Sequence, residues 1–197
     1  LQLMVTCQGK AMPFQQLSNS LRNLTALVGD IVRRLCLLNP ASLYPCEEGE
    51  GILLIDAIDH QLDQNMAQAI LPALHQAFPR LQMIIGHLGE LLPYTAYRTD
   101  RYYGLGGDGV KRIEKLPSDY LRRNFHITTS GNFDPKAFAC ALDVMGSDRL
   151  MFSVDYPMDD SLTGAEFLAQ YPMDERTRRM VASENAARLF GDRIPEL

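Results

Sequence analysis

The stretch Gln82-Met-Ile-Ile-Gly-His87-Leu-Gly-Glu90 joins a short apolar run to a sharp glycine turn. An apolar run of this length, bounded by turn residues, is typical of a buried strand. The turn would present His87 and Glu90 together at the end of that strand. Because both side chains can transfer protons, the pattern indicates an active site.

A second unit of the same kind lies further along the chain. The run Arg149-Leu-Met-Phe-Ser-Val-Asp155 is mostly apolar, ends in a carboxylate and is followed by Tyr156-Pro157. A carboxylate at the end of a buried strand must be paired, hydrogen-bonded or bound to a metal, so we predict a functional role for Asp155. The alternative is a cap on the turn at Tyr156-Pro157. For His87 the alternative is a buried ring satisfied by backbone groups.

The rest of the chain alternates apolar runs with amphipathic segments. Strands are predicted at Arg34–Asn39, 82–86, Asn124–Thr129 and 149–154, whereas Gly51–Asp56 fits a strand or the start of a buried helix. Helices are predicted at about 17–28, 64–78, 89–103, 135–145, 162–170, 173–182 and 183–190. Ser183 and Glu184 resemble an N-terminal cap of the last helix.

Strands that alternate with helices favour a parallel sheet with helical crossovers. Ligands of such sheets bind at the carboxyl ends of the strands. We therefore expect one site that contains His87, Glu90, the turn at Thr129–Asn132 and Asp155.

Composition excludes several classes of function. The 197 residues carry a net charge of -5 with scattered basic residues, which argues against nucleic-acid binding. No apolar run approaches the roughly 18 to 20 residues of a membrane span, and the N-terminus lacks signal-peptide features, so a soluble cytoplasmic protein is expected. The four cysteines form no Cys-x-x-Cys pair, which predicts reduced thiols. The Gly104–Gly109 loop lacks the Gly-Lys-Ser/Thr of a phosphate loop.

Other polar residues are weaker candidates. His60, His75 and His126 are expected to be structural, since His75 lies in a predicted helix and His126 in a strand whose outward face would be solvated. Arg98 could hold a substrate carboxylate with its planar guanidinium, or it could pair with Asp100.

Five ordered motifs resemble the amidohydrolase-related carboxy-lyases, and most closely the 2,3-dihydroxybenzoate and γ-resorcylate decarboxylases. The motifs are Ile85–Tyr94, Arg98, Phe125–Phe133, Gly146–Pro157 and Glu184–Phe190. The match covers about residues 70–190. We expect a single domain over 1–197, in which 1–64 diverge and 65–190 are recognisable.

The resemblance implies an α/β fold of the (β/α)8 TIM-barrel type and a divalent metal ion such as zinc, manganese or magnesium. It also implies non-oxidative decarboxylation of a hydroxylated aromatic acid, a small-molecule partner, and a homo-oligomer. By motif, Asp155 corresponds to a metal-binding aspartate and His87 with Glu90 to the catalytic pair, with Asp155 or His87 as the proton donor. Arg98 and Asn132 are the substrate-binding residues that it implies.

The chain also departs from the family pattern. No Glu-x-His or His-x-His strand opens the sequence, and a complete barrel takes about 250 residues, so we expect an incomplete barrel without its N-terminal strands. The nearest match to the family's His-Pro metal-ligand step is Asn39-Pro40. Two alternatives stay open: a metal-dependent hydrolase of the same superfamily, and a non-catalytic homologue. Exposed strand edges would favour self-association.

Overall fold

The N-terminal part of the fold combines a hairpin with a long helix. The computed structural model describes residues 3–7, 9–56, 70, 73–104 and 113–191. Its first elements are the antiparallel strands β1 (Met4–Cys7) and β2 (Lys10–Pro13), then helix α1 (Asn19–Leu38) and the short helix α2 (Pro45–Glu48).

Helix α1 includes the segment for which the sequence predicts a strand. The Ser18 hydroxyl accepts a backbone hydrogen bond in the first turn, and Ile31 and Leu35 are buried one helical turn apart. The helix predicted at 17–28 is confirmed, but it runs ten residues further, so the strand predicted at Arg34–Asn39 is wrong. Asn39 ends the helix, where its side-chain Nδ2 donates to the carbonyl of Leu35 at 2.9 Å.

Four parallel strands form the central sheet. In chain order, which is also their spatial order, they are β3 (Gly51–Ile55), β4 (Leu81–Ile85), β5 (Phe125–Thr128) and β6 (Leu150–Met151). Since all pairs are parallel, the carboxyl ends of the strands meet at one edge. The predicted parallel sheet is confirmed, and the Gly51–Asp56 run is a strand.

Helices bury one face of this sheet. Between the strands lie α3 (73–77), α4 (Leu92–Gly104), α5 (Pro117–Asn124) and α6 (Pro135–Met145). The sheet side chains beneath them are nearly inaccessible to solvent and belong to the hydrophobic core: Met83, Ile85, Phe125, Ile127 and Leu150. Burial of each large apolar side chain contributes about 1.5–3 kcal/mol, so this face anchors the strand ends that carry the site.

Three helices form the C-terminal part of the described chain. They are α7 (Ser161–Gln170), α8 (Glu175–Arg179) and α9 (Asn185–Phe190), and a π-helical turn at Met180–Glu184 joins the last two. Glu184 has helical backbone angles and makes no capping hydrogen bond, so the cap predicted at Ser183 and Glu184 is wrong. The N-terminal cap in this region is that of α8, where the Asp174 carboxylate accepts a hydrogen bond from the Thr177 amide at 3.0 Å.

Strand β6 is shorter than the strand predicted at 149–154. The Phe152 amide donates to the carbonyl of Val181 at 2.8 Å, so the chain leaves the sheet ladder after Met151 to pair with the π-helical turn. Helix α6 has the predicted bounds, and α4 begins three residues after its predicted start.

Some predictions concern residues outside the described ranges. These are His60, most of the helix predicted at 64–78, and the Gly104–Gly109 loop beyond Gly104. Cys36, Cys46 and Cys140 are free thiols, and Cys36 is exposed. In the part of the chain that the structure describes, no helix is both long enough and apolar enough to cross a membrane.

Candidate active site

The turn after β4 has an unusual backbone. His87, Leu88 and Glu90 have positive φ angles of 50°, 56° and 54°, and Gly89 has a φ of 76°. Side-chain-bearing residues rarely adopt this left-handed region, and clusters of them occur at functional sites. The turn is closed by two hydrogen bonds: Gly89 N–H donates to the Gly86 carbonyl at 2.8 Å, and Glu90 N–H to the His87 carbonyl at 3.1 Å.

This turn brings His87 and Glu90 into contact, as the sequence predicts. Nδ1 of His87 lies 2.6 Å from Oε1 of Glu90, so the ring nitrogen donates to the carboxylate. Burial alone would lower the pKa of His87, but the Glu90 hydrogen bond and the charges of Glu90, Asp155 and Asp56 outweigh it and raise the pKa. His87 is therefore held in one orientation and binds a proton more readily than a free imidazole does.

The other nitrogen of His87 faces two carboxylates. Nε2 lies 3.6 Å from Oδ2 of Asp155 and 3.9 Å from Oδ1 of Asp56. Asp155 follows β6, and its positive φ of 73° turns it toward His87. The structure thus brings His87, Glu90 and Asp155 together. The turn after Asp155 is closed by its backbone carbonyl, which accepts a hydrogen bond from Met158 N–H at 2.8 Å. The backbone, and not the carboxylate, therefore makes the capping hydrogen bond that was the alternative role of Asp155.

Hydroxyl groups fix the ends of β5 and β6 next to this cluster. Thr129 is fully buried: its Oγ1 donates to the Ser153 carbonyl at 2.5 Å and accepts from the Ser153 amide at 2.9 Å. The hydroxyl of Ser130 lies 2.6 Å from that of Thr128 and 3.3 Å from that of Ser153. Sequence reasoning assigned no role to Ser153; a serine just before a predicted site carboxylate was the available signal.

The side-chain contacts that the structure describes for Arg98 and Asn132, the two predicted substrate-binding residues, do not include His87. Arg98 is exposed on α4, where Nη2 donates to the Tyr102 hydroxyl at 3.0 Å and the guanidinium carbon lies 4.7 Å from the centre of that ring. Its partner is therefore Tyr102 rather than the alternative, Asp100, whose carboxylate accepts from Ser118 N–H. Asn132 is half-buried in the turn after β5 and accepts a long 3.5 Å hydrogen bond from the Asp134 amide.

His75 and His126 are buried and have partners outside the His87 cluster. The His75 ring packs against Tyr120 with 5.1 Å between ring centres, and burial lowers its pKa. His126 is 4% exposed, so the prediction that it faces solvent is wrong. Arg149 Nη1 donates to its Nε2 at 3.2 Å, and burial together with the Arg149 charge lowers the His126 pKa to about 4.

The acidic residue that sequence reasoning missed is Asp56. It follows β3 directly, and its side chain is 84% exposed at the mouth of the cluster. Its run, Gly51-Ile-Leu-Leu-Ile-Asp56, has the same form as the run that ends in Asp155, which was the available signal. Within the described ranges, no three side chains of His, Cys, Asp or Glu are arranged to hold a metal ion by themselves.

Known decarboxylases are similar to this chain over part of their length. γ-Resorcylate decarboxylase from Rhizobium radiobacter is 37% identical over 122 residues, which are 59% of this chain and 36% of that enzyme. A crystal structure of dihydroxybenzoic acid decarboxylase from Polaromonas sp. JS666, with bound manganese and the inhibitor 2-nitroresorcinol, superimposes with a TM-score of 0.59 at 30% identity. That match covers 66% of this chain and 40% of the enzyme. The chain thus spans well under half the length of these relatives.

A protein of another class also matches. Retron Ec83 probable ATPase from Escherichia coli is 41% identical over 85 residues, which are 43% of this chain and 16% of that protein. A P-loop needs Gly-x4-Gly-Lys-Ser/Thr to cradle phosphates. These 197 residues contain no such motif.

The family assignment rests on the widest match. The family model described as Amidohydrolase matches residues 58–191, which include His87, Glu90 and Asp155. The predicted fold class is confirmed: the four-stranded parallel sheet with its helices is part of a barrel of the (β/α)8 type. The chain belongs to the amidohydrolase family.

Proposed function

We propose that this chain carries the proton-transfer site of a metal-dependent decarboxylase that acts on hydroxylated aromatic acids. The observation that carries the proposal is the orientation of His87, which donates through Nδ1 to Glu90 and faces Asp155 with Nε2. A histidine fixed in this way can deliver a proton from a known atom toward a bound ligand. The reaction class is that of the similar enzymes, which are decarboxylases of dihydroxybenzoic acids.

The reaction replaces a carboxylate on an aromatic ring with a proton. The bond between the ring carbon and the carboxylate breaks, CO2 leaves, and the same carbon receives a proton. We assign this proton to Nε2 of His87, because Glu90 and the nearby carboxylates raise the pKa of the ring and so favour its protonated form. Glu90 stabilises the imidazolium and holds its orientation, and Asp155 on the opposite side of the ring is the alternative donor.

A divalent cation fits the donor chemistry of Asp155. Among the described residues its carboxylate takes part in no hydrogen bond, and its ion-pair partner is Nε2 of His87 at 3.6 Å, so its oxygens are available to a cation. Oxygen donors suit manganese or magnesium, which complete their shells with water and substrate oxygens. When bound, such an ion would supply Lewis-acid binding of the substrate carboxylate and the neighbouring phenolate. We propose manganese or magnesium ahead of zinc.

Arg98 and Asn132 remain proposals for substrate binding. Arg98 has a planar guanidinium suited to a carboxylate, and Tyr102 is its only partner within the described ranges. Asn132 follows Gly131, and a Cβ on Gly131 would contact Asp155 and Asp159, which supports Asn132 as a candidate near these carboxylates. A small aromatic carboxylate is the proposed partner of both.

Self-association is part of the proposal. β3 is an edge strand of the described sheet, and Leu54 on it is 69% exposed. An uncovered edge strand with an apolar side chain favours pairing with another copy. A homo-oligomer in solution, measured by analytical ultracentrifugation, is the expected result. The free thiols fit a reducing compartment, so we also propose a cytoplasmic location.

The function is tested by CO2 release from γ-resorcylate by the purified chain with added manganese. We expect turnover that is lost in His87→Asn and kept in Asp143→Asn, which alters an exposed carboxylate on α6. Hydrolysis of a lactone or amide without CO2 release would favour the superfamily's hydrolase chemistry instead. Neither reaction, together with no binding of manganese, would favour the non-catalytic alternative.

A further inference from the structure

We propose that Asp56 is a second carboxylate ligand, beside Asp155, for the divalent cation of this site. The proposal rests on the proposed function. Asp56 lies outside the five motifs that carry the resemblance to the carboxy-lyases. It also replaces Asn39-Pro40 as the counterpart of the family's ligand on a middle strand. Asn39 caps helix α1 with its side chain and is not at a strand end.

Strand order is the first argument. β3 is the neighbour of β4 in the described sheet, and its last residue, Ile55, is paired in register with Ile85. The Gly86 amide continues this ladder by donating to the Ile55 carbonyl at 3.4 Å. Asp56 is therefore level with Gly86, one residue before His87, at the edge where ligands of parallel sheets bind.

The second argument is the open approach to His87. Gly86 has no side chain, and a Cβ at that position would lie 3.6 Å from Oδ1 of Asp56 and 3.7 Å from Cβ of Ser130. A larger residue there would point into the space between Asp56 and the β5 turn. The glycine keeps this space free, so Asp56 approaches Nε2 of His87 to 3.9 Å while Asp155 approaches the same atom to 3.6 Å.

Charge is the third argument. Glu90, Asp155 and Asp56 surround one imidazole, so the cluster keeps excess negative charge even when His87 is protonated. Among the described residues, no Lys or Arg forms an ion pair with Asp56 or Asp155. Two carboxylates from different strands are a common protein contribution to a magnesium- or manganese-type site, in which water and substrate supply the remaining oxygens. The exposure of Asp56 leaves room for those waters.

Manganese binding to the full chain tests this assignment without turnover. Free Mn²⁺ would be measured by electron paramagnetic resonance for the wild type, Asp56→Asn, Asp155→Asn and Asp143→Asn. We expect Asp56→Asn to weaken binding at least about tenfold, since even residues outside the ligand shell change affinity 10–100-fold. Asp155→Asn should weaken it as well, and Asp143→Asn should leave it unchanged. Asp56→His, which restores a ligand atom, should bind more tightly than Asp56→Asn.

The outcomes separate this assignment from the proposed function. Wild-type affinity in Asp56→Asn, with loss in Asp155→Asn, would overturn the role of Asp56 and leave the proposed function intact. Absence of binding by the wild type would overturn both. Asp56 is exposed, so without added metal its replacement should leave the thermal unfolding midpoint unchanged. A lowered midpoint in metal-free Asp56→Asn would identify a structural role and overturn the assignment, whereas with manganese present weaker binding alone lowers the midpoint.

Discussion

Gly89 lies directly against Ile127, across the interface between the His87 turn and strand β5. A Cβ on Gly89 would meet Cγ2 of Ile127 at 2.9 Å and Cδ of Pro93 at 3.3 Å, and the φ of 76° is unfavourable for any residue with a side chain. The conformation that presents His87 and Glu90 therefore depends on glycine at this position.

Gly89→Ala should destabilise the fold and misplace the site. We expect a loss of about 1–3 kcal/mol in the free energy of unfolding, from overpacking and backbone strain together. Gly29→Ala is the matched control, because Gly29 lies within helix α1 and an added methyl group there would have no atom within 4 Å. That change should stabilise the protein by about 0.5–1 kcal/mol. Urea unfolding of both variants measures the difference, and equal stabilities would contradict the role given to Gly89.

Glu90→Gln should lower the pKa of His87, because it removes the charge and the strong acceptor next to Nδ1. The imidazole titration followed by NMR measures this change directly. If His87 transfers the proton, the rate of CO2 release at neutral pH should fall by about 10²–10⁴-fold, the usual contribution of a positioned acid or base. Glu166→Gln, on the exposed side of α7, is the matched control and should change neither quantity. An unchanged His87 titration in Glu90→Gln would contradict the proposed pair.

Stability should fall on acidification because of His126. Its folded-state pKa is about 4, below the 6.5 of an unfolded histidine, so the unfolded chain binds more protons between these pH values. The stability contributed by the neutral ring is therefore present above pH 6.5 and lost as pH falls toward 4. Between pH 7 and pH 5 the loss amounts to about 2 kcal/mol.

His126→Gln removes this titration but keeps a polar side chain. The drop in unfolding free energy between pH 7 and pH 5, measured in urea, should be smaller in the variant than in the wild type by that amount. Other groups titrate equally in both proteins, so the comparison isolates His126. An identical decrease in unfolding free energy in the two proteins would show that folding does not lower the pKa of His126.

The site was predictable where local sequence determines contact. His87 and Glu90 are three residues apart in a glycine turn, so their pairing follows from local geometry. Asp155 meets His87 because the carboxyl ends of parallel strands share an edge, which the alternation of strands and helices indicates. Asp56 ends an apolar run of the same form, but its approach to His87 depends on β3 lying next to β4, and the sequence does not specify the sheet order.

The wrong predictions have similar physical causes. The four apolar residues Leu35–Leu38 resemble a buried strand in a short window, and only the helical spacing back to Ile31 identifies the helix. His126 alternates with the buried Phe125 and Ile127, so it lies on the opposite face of β5, but that face is also covered. On that face His126 contacts Arg149, which lies 23 residues later in the sequence. The alternation of residues along one strand does not reveal such a contact with a distant part of the chain.

Two buried asparagines tie down the starts of strands. Nδ2 of Asn185 donates to the carbonyls of Ser147 and Leu150, both at 2.7 Å, and Nδ2 of Asn124 donates in the same way to the carbonyls of Pro79 and Leu81. Asn185 is fully buried. Both side chains therefore satisfy backbone acceptors, and the hydrogen bonds to the carbonyls of Leu81 and Leu150 are buried.

Asn185→Asp should be strongly destabilising, and more so at high pH. A carboxylate would face two carbonyl oxygens without a proton to donate, which costs on the order of 2–3 kcal/mol or more at pH 7. Because the folded state would raise the pKa of the new carboxyl, the variant should regain stability as pH falls below that pKa and protonation restores a donor. Asn19→Asp is the matched control: it places the same charge in the exposed first turn of α1, where the helix dipole favours it by a few tenths of a kcal/mol. Unfolding midpoints at pH 5 and pH 8 distinguish the two, and a pH-independent loss in Asn185→Asp would mean that packing, not the two hydrogen bonds, accounts for the role of Asn185.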